Sequence, residues 1–337
     1  MRKLIIPIVL LIGIVFIFVN IAEVQAVIET LKRGDWRFIL LALVVEVFWM
    51  LNVTASFWSV YRALGVEESL ERMFVLITAA NFLNVVAPSG GMGGVAILIS
   101  EARRRNYSSA RVTVAGGLVV LLDYMAFLGV LSVGLFILFR RNNLNSAELA
   151  ASAILLLVAI VLGTLIYLGM HSANSMGRAL SWMARLVNRL LWPFIHRAYL
   201  SEERAHSFAH EASAGLFLLR QDPKRIRVPI LLGLSNKLLL IVILLLSFAA
   251  FQVPFTLGIL VGGFSIGYLF YIVSPTPAGI GFVEGALTLG LHSLNVPLGE
   301  ATVITLAYRG VTFWAPLIVG MIAFRWLSHG ENAEASI

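Results

Sequence analysis

Eight polar or ionisable residues sit inside otherwise apolar stretches of this sequence: Glu46, Asn52, Asn81, Asn84, Asp123, Lys237, Glu284 and Arg309. Such groups are expensive in hydrocarbon and face one another or a watery cavity. Arg309 offers a fork of donors for phosphate oxygens, and Lys237 a point charge. An anionic head group is the natural ligand for both. Glu284 is placed to pair with Arg309 or Lys237, or to orient a substrate. Asp123, a turn or two inside the membrane boundary, either snorkels or balances a cation. For each of these residues a purely structural ion pair or polar anchor is an equally good reading.

Two apolar stretches, 73–100 and 257–293, carry helix breakers near their middles. The first contains VVAPSGGMGG, with Pro88, Gly90, Gly91 and Gly93. The second contains SPTPAGIGFVEG, with Pro277, Gly279, Gly281 and then Glu284. Unpaired backbone is tolerated at membrane depth only where protein or a watery cavity surrounds it. A half-helix that starts after such a break points free N–H groups and a positive dipole end into the protein. Two breaks entering from opposite leaflets would build an anion-binding centre near the midplane. The competing reading is that the glycines only let helices approach closely.

Motifs for catalysis are missing. There is no Gly-x-Ser-x-Gly elbow, no His-Glu-x-x-His and no phosphate loop, and SGGMGG is not followed by Lys. No Asp-x-x-Asp pair suits a magnesium-diphosphate site. His206 and His210 have helical i,i+4 spacing, but a third ligand is wanting, so a solvated helix face is expected there. No catalytic residue, metal or cofactor is therefore expected.

These residues must be positioned by membrane helices. The chain has 337 residues, 59% hydrophobic and 13% charged, without cysteine, and its mean hydropathy is +0.92. Six stretches are long enough to cross a bilayer: 4–21, 38–61, 113–139, 149–170, 229–251 and 301–325. The first could be read as a signal peptide, but its apolar core exceeds a typical h-region, which favours an uncleaved helix. The net charge of +7 is explained by the orientation rule for membrane loops, not by nucleic acid. Arg62, Arg72, Arg103–Arg105, Arg111 and nine basic residues between 171 and 228 share one side only if 73–100 is a re-entrant hairpin. Both termini then lie in the cytoplasm, and 257–293 is a hairpin entering from outside.

The expectation is an all-α polytopic protein of the cytoplasmic membrane. About six crossings and two re-entrant hairpins form an inverted repeat, as in many transporters. Residues 1–140 make the first repeat, 141–170 the first crossing of the second, and 229–337 its remainder. At offsets of 188 and 189, Gly91-Met-Gly93 falls on Gly279-Ile-Gly281 and Asn106 on Asn295. Residues 171–228 form a cytoplasmic connector. In it, Leu180, Met183, Val187, Leu190, Leu191 and Phe194 share one helical face opposite Arg178, Arg185 and Arg189. A second helix runs from about 201 to before Pro223.

With those residues in view, PTPAGIGFVEG and Tyr308-Arg-x-x-Thr-Phe-Trp-x-Pro-x-x-x-Gly320 resemble the lysylphosphatidylglycerol synthase transmembrane region, a flippase-like family. VVAPSGGMGG and RNYSSARVTVAGGLVVLLDYM are similar to its first half, without the acidic residue some members carry among the glycines. Bifunctional relatives continue into an aminoacyltransferase domain. This chain stops at Ile337, so lysylation is not expected. The resemblance implies translocation of a phospholipid or polyprenyl-phosphate-type lipid, with Pro277, Gly279, Gly281, Glu284, Tyr308 and Arg309 as site residues. The alternatives are a non-catalytic membrane partner of a glycosyltransferase or synthase, and a membrane enzyme acting on lipid-linked substrates.

Overall fold

A computed structural model describes residues 21–86, 92–140, 146–195, 201–274 and 276–334. The expected first crossing (4–21), Pro88, Gly90 and Gly91 lie outside them. The described residues are helical in order: α1 (Ile21–Arg33), α2 (Trp36–Ala63), α3 (Leu70–Val86), α4 (Met92–Arg104), α5 (Ser109–Arg140), α6 (Ser146–His171), α7 (Ala173–Ile195), α8 (Glu202–Gln221), α9 (Arg227–Ala250), α10 (Leu257–Val273), α11 (Phe282–Ser293), α12 (Leu298–Arg309) and α13 (Ala315–Glu334). A π-turn, Gly310–Trp314, joins the last two, and a 3-10 turn, Pro277–Gly279, precedes α11.

Five helices among the described residues are long and apolar enough to cross a membrane: Trp36–Ala63, Ser109–Arg140, Ser146–His171, Pro223–Ala250 and Leu298–Leu327. Their outward faces are apolar. Leu149, Ile154, Leu157 and Ile160 of α6 are all about half exposed or more, the reverse of a water-soluble helix. The chain is a multi-pass membrane protein. The helices overrun the expected spans by a few residues because their caps lie outside the apolar runs. Asp35, for example, starts α2 by accepting from the Arg37 N–H at 3.0 Å.

Residues 22–33, which lie between the expected crossings 4–21 and 38–61, are helical. Val24, Val27 and Leu31 recur at helical spacing and turn inward, while Ile28, Glu29 and Lys32 stay exposed. α1 thereby reaches the π-turn, where Val27 packs with Phe313 and Trp314.

Helix ends in the two halves match in pairs. α2 stops at Gly65 (φ 74) and α9 at Gln252 (φ 56). In the first case Val66 N–H reaches back to Tyr61 O at 2.9 Å, and in the second Val253 N–H reaches Phe248 O at 3.1 Å. α4 stops at Asn106 (φ 56) and α11 at Asn295 (φ 70), with Tyr107 N–H on Ala102 O at 2.8 Å and Val296 N–H on Leu291 O at 3.1 Å. Each is a Schellman-type cap with one left-handed residue. α2 and α9 run antiparallel: Asp35 N–H meets Ala250 O at 2.8 Å, and Asn52 meets Asn236 at 2.7 Å. Matching ends on the antiparallel helices α2 and α9 are what the expected inverted repeat calls for.

Each repeat contains a helical hairpin. In the first, Arg72 on α3 bonds Glu101 on α4 at 3.0 Å at the root, and Asn84 meets Gly94 near the tip. In the second, Gly263, Gly267 and Gly290 let α10 and α11 interlock: a Cβ on Gly263 would lie 2.5 Å from Leu291. Without a hydrophobic drive between helices in lipid, such close approach supplies the packing energy. Gly320 works likewise between hairpin and span. A Cβ there would sit 2.8 Å from the Thr78 carbonyl oxygen, so Gly320→Leu would push α13 off α3. α8 starts at the Ser201 cap and stops before Pro223, as the sequence predicts. It buries Ala209, Ala212, Leu216 and Leu219 against Leu64 and Ala115.

Candidate functional site

The second hairpin tip is built from backbone geometry that needs glycine. Ala278 (φ 51), Gly279 (φ 78) and Gly281 (φ 74) turn the chain left-handed. The Thr276 hydroxyl donates to Ile280 O at 3.0 Å and closes the turn. α11 then begins with Gly281 at its N-cap and no side-chain cap. Among the described residues no side chain caps its first N–H groups, which lie at the positive end of its dipole.

Arg309, the last residue of α12, reaches this tip. Its Nε donates to Glu284 Oε1, and its Nη2 to the Ala278 carbonyl at 3.0 Å. The Phe313 ring lies 4.6 Å beneath the guanidinium. The two charged side chains are 5% and 13% exposed. Removing one partner of such a pair leaves an uncompensated buried charge, at about 3–5 kcal/mol. Glu284 Oε2 is buried without a hydrogen-bond partner among the described residues. Tyr308 lies buried beside Arg309.

The first hairpin comes to the same place with different chemistry. Asn84 Oδ1 accepts from the Gly94 N–H at 2.6 Å, so a side chain of α3 caps the first turn of α4, where Gly93 also lies. Phe82 and Val86 pack with Phe313, Trp314 and Leu317, and Ala278 and Ile280 of the second tip join them. The end of α3 and the charged tip are therefore neighbours. Pro88, Gly90 and Gly91 lie outside the described residues.

Lys237 and Asp123 form a separate centre. Lys237 Nζ stands 2.6 Å from Asp123 Oδ1 and 2.5 Å from the Tyr268 hydroxyl. Tyr268 in turn donates to Asp123 Oδ2 at 2.9 Å. Of the sequence alternatives, Glu284 takes Arg309, and Asp123 balances a cation. A cavity of about 10 Å³ touches Asp123, Asn236 and Ser56, room for about one water. Tyr271, one turn on from Tyr268, has its ring 5.7 Å from that of Tyr268 and lies against Gly279 of the tip, where a Cβ would be 3.6 Å from it. Tyr268 and Tyr271 were not singled out in the sequence. Their signal is two phenols at i,i+3 in an otherwise apolar helix, each needing a partner for its hydroxyl. Glu46 is 2% exposed and stands apart from both ion pairs. Among the described residues no group of three His, Asp or Glu could hold a metal, and His206 packs against Gly177.

Comparison with known proteins gives a consistent picture. The family described as "Lysylphosphatidylglycerol synthase TM region" matches residues 4–320. A UPF0104 membrane protein of Methanothermobacter thermautotrophicus is 23% identical, over 96% of this chain and 97% of that relative. UPF0104 membrane proteins of Methanocaldococcus jannaschii (23% identical, 94% and 93% of the two chains) and Pyrococcus horikoshii (24%, 93% and 94%) are similar along their lengths as well.

Proposed function

The chain belongs to the lysylphosphatidylglycerol synthase TM region family, and from that membership we propose that it moves an anionic phospholipid or polyprenyl-phosphate-type lipid between the leaflets of the cytoplasmic membrane. It acts as a transporter, not as an enzyme. The observation that carries this reading is Arg309. It stands 11 residues into the Leu298–Leu327 span, about 16 Å deep at 1.5 Å per residue, close to mid-bilayer. A guanidinium at that depth, beside an uncapped helix start, is a receptor for an anion.

Glu284 holds Arg309 at the tip while no ligand is bound. A phosphate presents two oxygens to the same fork and competes with the carboxylate for it. The acyl or prenyl tail stays in lipid, so only the head group crosses the polar tip region. Both hairpins are re-entrant in this reading, the first from the cytoplasm and the second from outside, with both termini in the cytoplasm. An open groove along α4, lined by Ala96, Ile99, Ser100, Arg103 and Arg104, suits a head group approaching from the cytoplasmic leaflet.

The test is reconstitution with fluorophore-labelled phosphatidylglycerol. Wild-type protein is expected to equilibrate the label between leaflets, and Arg309→Lys to keep part of that rate. Arg309→Gln moving label as fast as wild type would sink the head-group role.

A second reading is favoured by α7, whose exposed face carries Trp182 (60%) and Leu186 (42%) beside exposed Arg185 and Arg189. That surface suits the membrane interface or a membrane-associated glycosyltransferase or synthase. Capture of such an enzyme that is lost on Arg185→Glu, with no lipid movement by the purified protein, would favour the accessory role.

A further inference from the structure

Glu46 is a buried charge-bearing group that the proposed site does not use. It lies on the inward face of α2 at 2% exposure. Both carboxyl oxygens are buried without a hydrogen-bond partner among the described residues. Trp49 Nε1, one turn along, and Thr305 Oγ1 on α12 are buried and unpartnered as well. An unpaired carboxylate in such surroundings has lost its hydration with nothing in return, whereas the neutral acid has lost far less.

Among the described residues, its neighbours offer no standing cation. The register fixed by Asp35–Ala250 and Asn52–Asn236 puts Glu46 level with about Leu240 of α9. Lys237 is one turn away and already held by Asp123 of α5. The charged residues of α3, Glu71 and Arg72, lie at the hairpin root, and Arg72 is engaged by Glu101. Lys224 and Arg225 of the 3-10 turn lie at the far end of α2. α1 carries Glu29, Lys32 and Arg33 beyond the other end of α2, all exposed, and the π-turn has no ionisable side chain. From α12, Tyr308 shares a core with Ala42, Val45 and Trp49 of α2, the residues that flank Glu46, and the next residue is Arg309. Glu46 is 10 residues into α2, about 15 Å. α2 and the α12–α13 span run the same way, since Val60 and Leu327 near their ends share a core with Met73. Tyr308 packs in the core of Val45 and Trp49, which brings Arg309 near the level of Glu46.

We propose that Glu46 is a proton-binding site and that lipid movement is coupled to it, an inference that rests on the lipid-translocation reading above. An anion at Arg309 and a carboxylate at Glu46 repel across a low-dielectric region, so the head group moves while Glu46 is protonated. A proton from water on the loading side forms the carboxyl O–H bond. That bond breaks when the site opens to the other side, the proton passes to water there, and the carboxylate is reloaded in the next cycle. One proton accompanies one head-group charge.

Two measurements test this. The first is infrared difference spectroscopy of the purified protein across a pH titration. A carboxylic-acid C=O band that responds to pH and vanishes in Glu46→Gln is expected, and an identical spectrum in that variant overturns the proton site. The second uses vesicles of phosphatidylcholine and phosphatidylglycerol with labelled phosphatidylglycerol. Acidifying the loading side is expected to speed wild-type movement at least several-fold. Glu46→Gln loses that response, and Glu46→Asp retains it. Wild-type movement that ignores the gradient overturns the coupling and leaves translocation standing. A wild-type protein that moves no lipid overturns both, and the infrared band alone then decides whether Glu46 binds a proton.

Discussion

At the tip of the first hairpin, Asn84 crosses from α3 to cap the first turn of α4 through the Gly94 N–H. At the tip of the second, no side chain caps α11, and the turn is held by Arg309, 25 residues beyond Glu284 in sequence. The hairpins have helices of nearly equal length and end in equivalent left-handed caps at Asn106 and Asn295. Their roots thus carry the same structural duty, while their tips have parted. Beside one, a neutral side chain of the same hairpin caps the helix start. The other leaves its helix start open and relies on a charged residue from another span. A tip that depends on an outside group is one a competing anion can release.

The largest expected effect tests that dependence. Arg309→Ala leaves Glu284 buried and unpaired, and is expected to destabilise the fold by about 3–5 kcal/mol and to abolish lipid movement, read by thermal unfolding in detergent and by the vesicle assay. Should the double variant Arg309→Ala/Glu284→Ala be as unstable as the single one, the pair is not what holds the tip.

Next comes Asp123→Asn, which deprives Lys237 of its counter-charge. The Asp123 side chain is 23% exposed, so water offsets part of the loss. A smaller destabilisation of about 2–3 kcal/mol is expected. Unlike Arg309→Ala, it should lower the rate of lipid movement less than it lowers stability. Equal loss of transport in both would merge the two centres into one site.

The glycines of the second tip separate space from backbone strain. At Gly279 a Cβ would lie 2.3 Å from Val283, and Gly279→Ala is expected to cost about 2–3 kcal/mol through clash and left-handed strain together. Gly281 has the same sense of φ but open space around it, so Gly281→Ala should cost about 1 kcal/mol. Thermal melts of the two proteins check the ranking.

Asn84→Ala gives the smallest effect. It removes one cap at the neutral tip, about 1 kcal/mol, and is expected to leave the transport rate within a factor of two. A rate loss as large as that of Arg309→Lys would mean that the first tip also handles the head group.

Much of this was legible in the sequence because hydrocarbon is an unforgiving solvent. Apolar runs longer than about 18 residues have few alternatives to spanning, and five of the six crossings are seen among the described residues. Helix breakers and ionisable groups stand out against that background, which is why Glu284 and Arg309 could be named in advance. What escaped was pairing. Nothing in spacing says that Glu284 takes Arg309 while Lys237 takes Asp123, because these partners lie 25 and 114 residues apart and meet only through tertiary packing. α1 escaped as well: it falls between two apolar runs, and its charges mask the one face that Val24, Val27 and Leu31 share. Tyr268 was hidden by its own apolar ring.

The π-turn at Gly310–Trp314 has an effect that reaches along the whole last span. It holds one residue more than the α-helical ladder needs, and one residue is about 100° of rotation. α13 is therefore twisted about its axis relative to α12, so that a single continuous crossing shows one meridian to α1, α9 and α11 and another to α3. The last span in this way serves two sets of partners, with Arg309 set just before the point where one set gives way to the other.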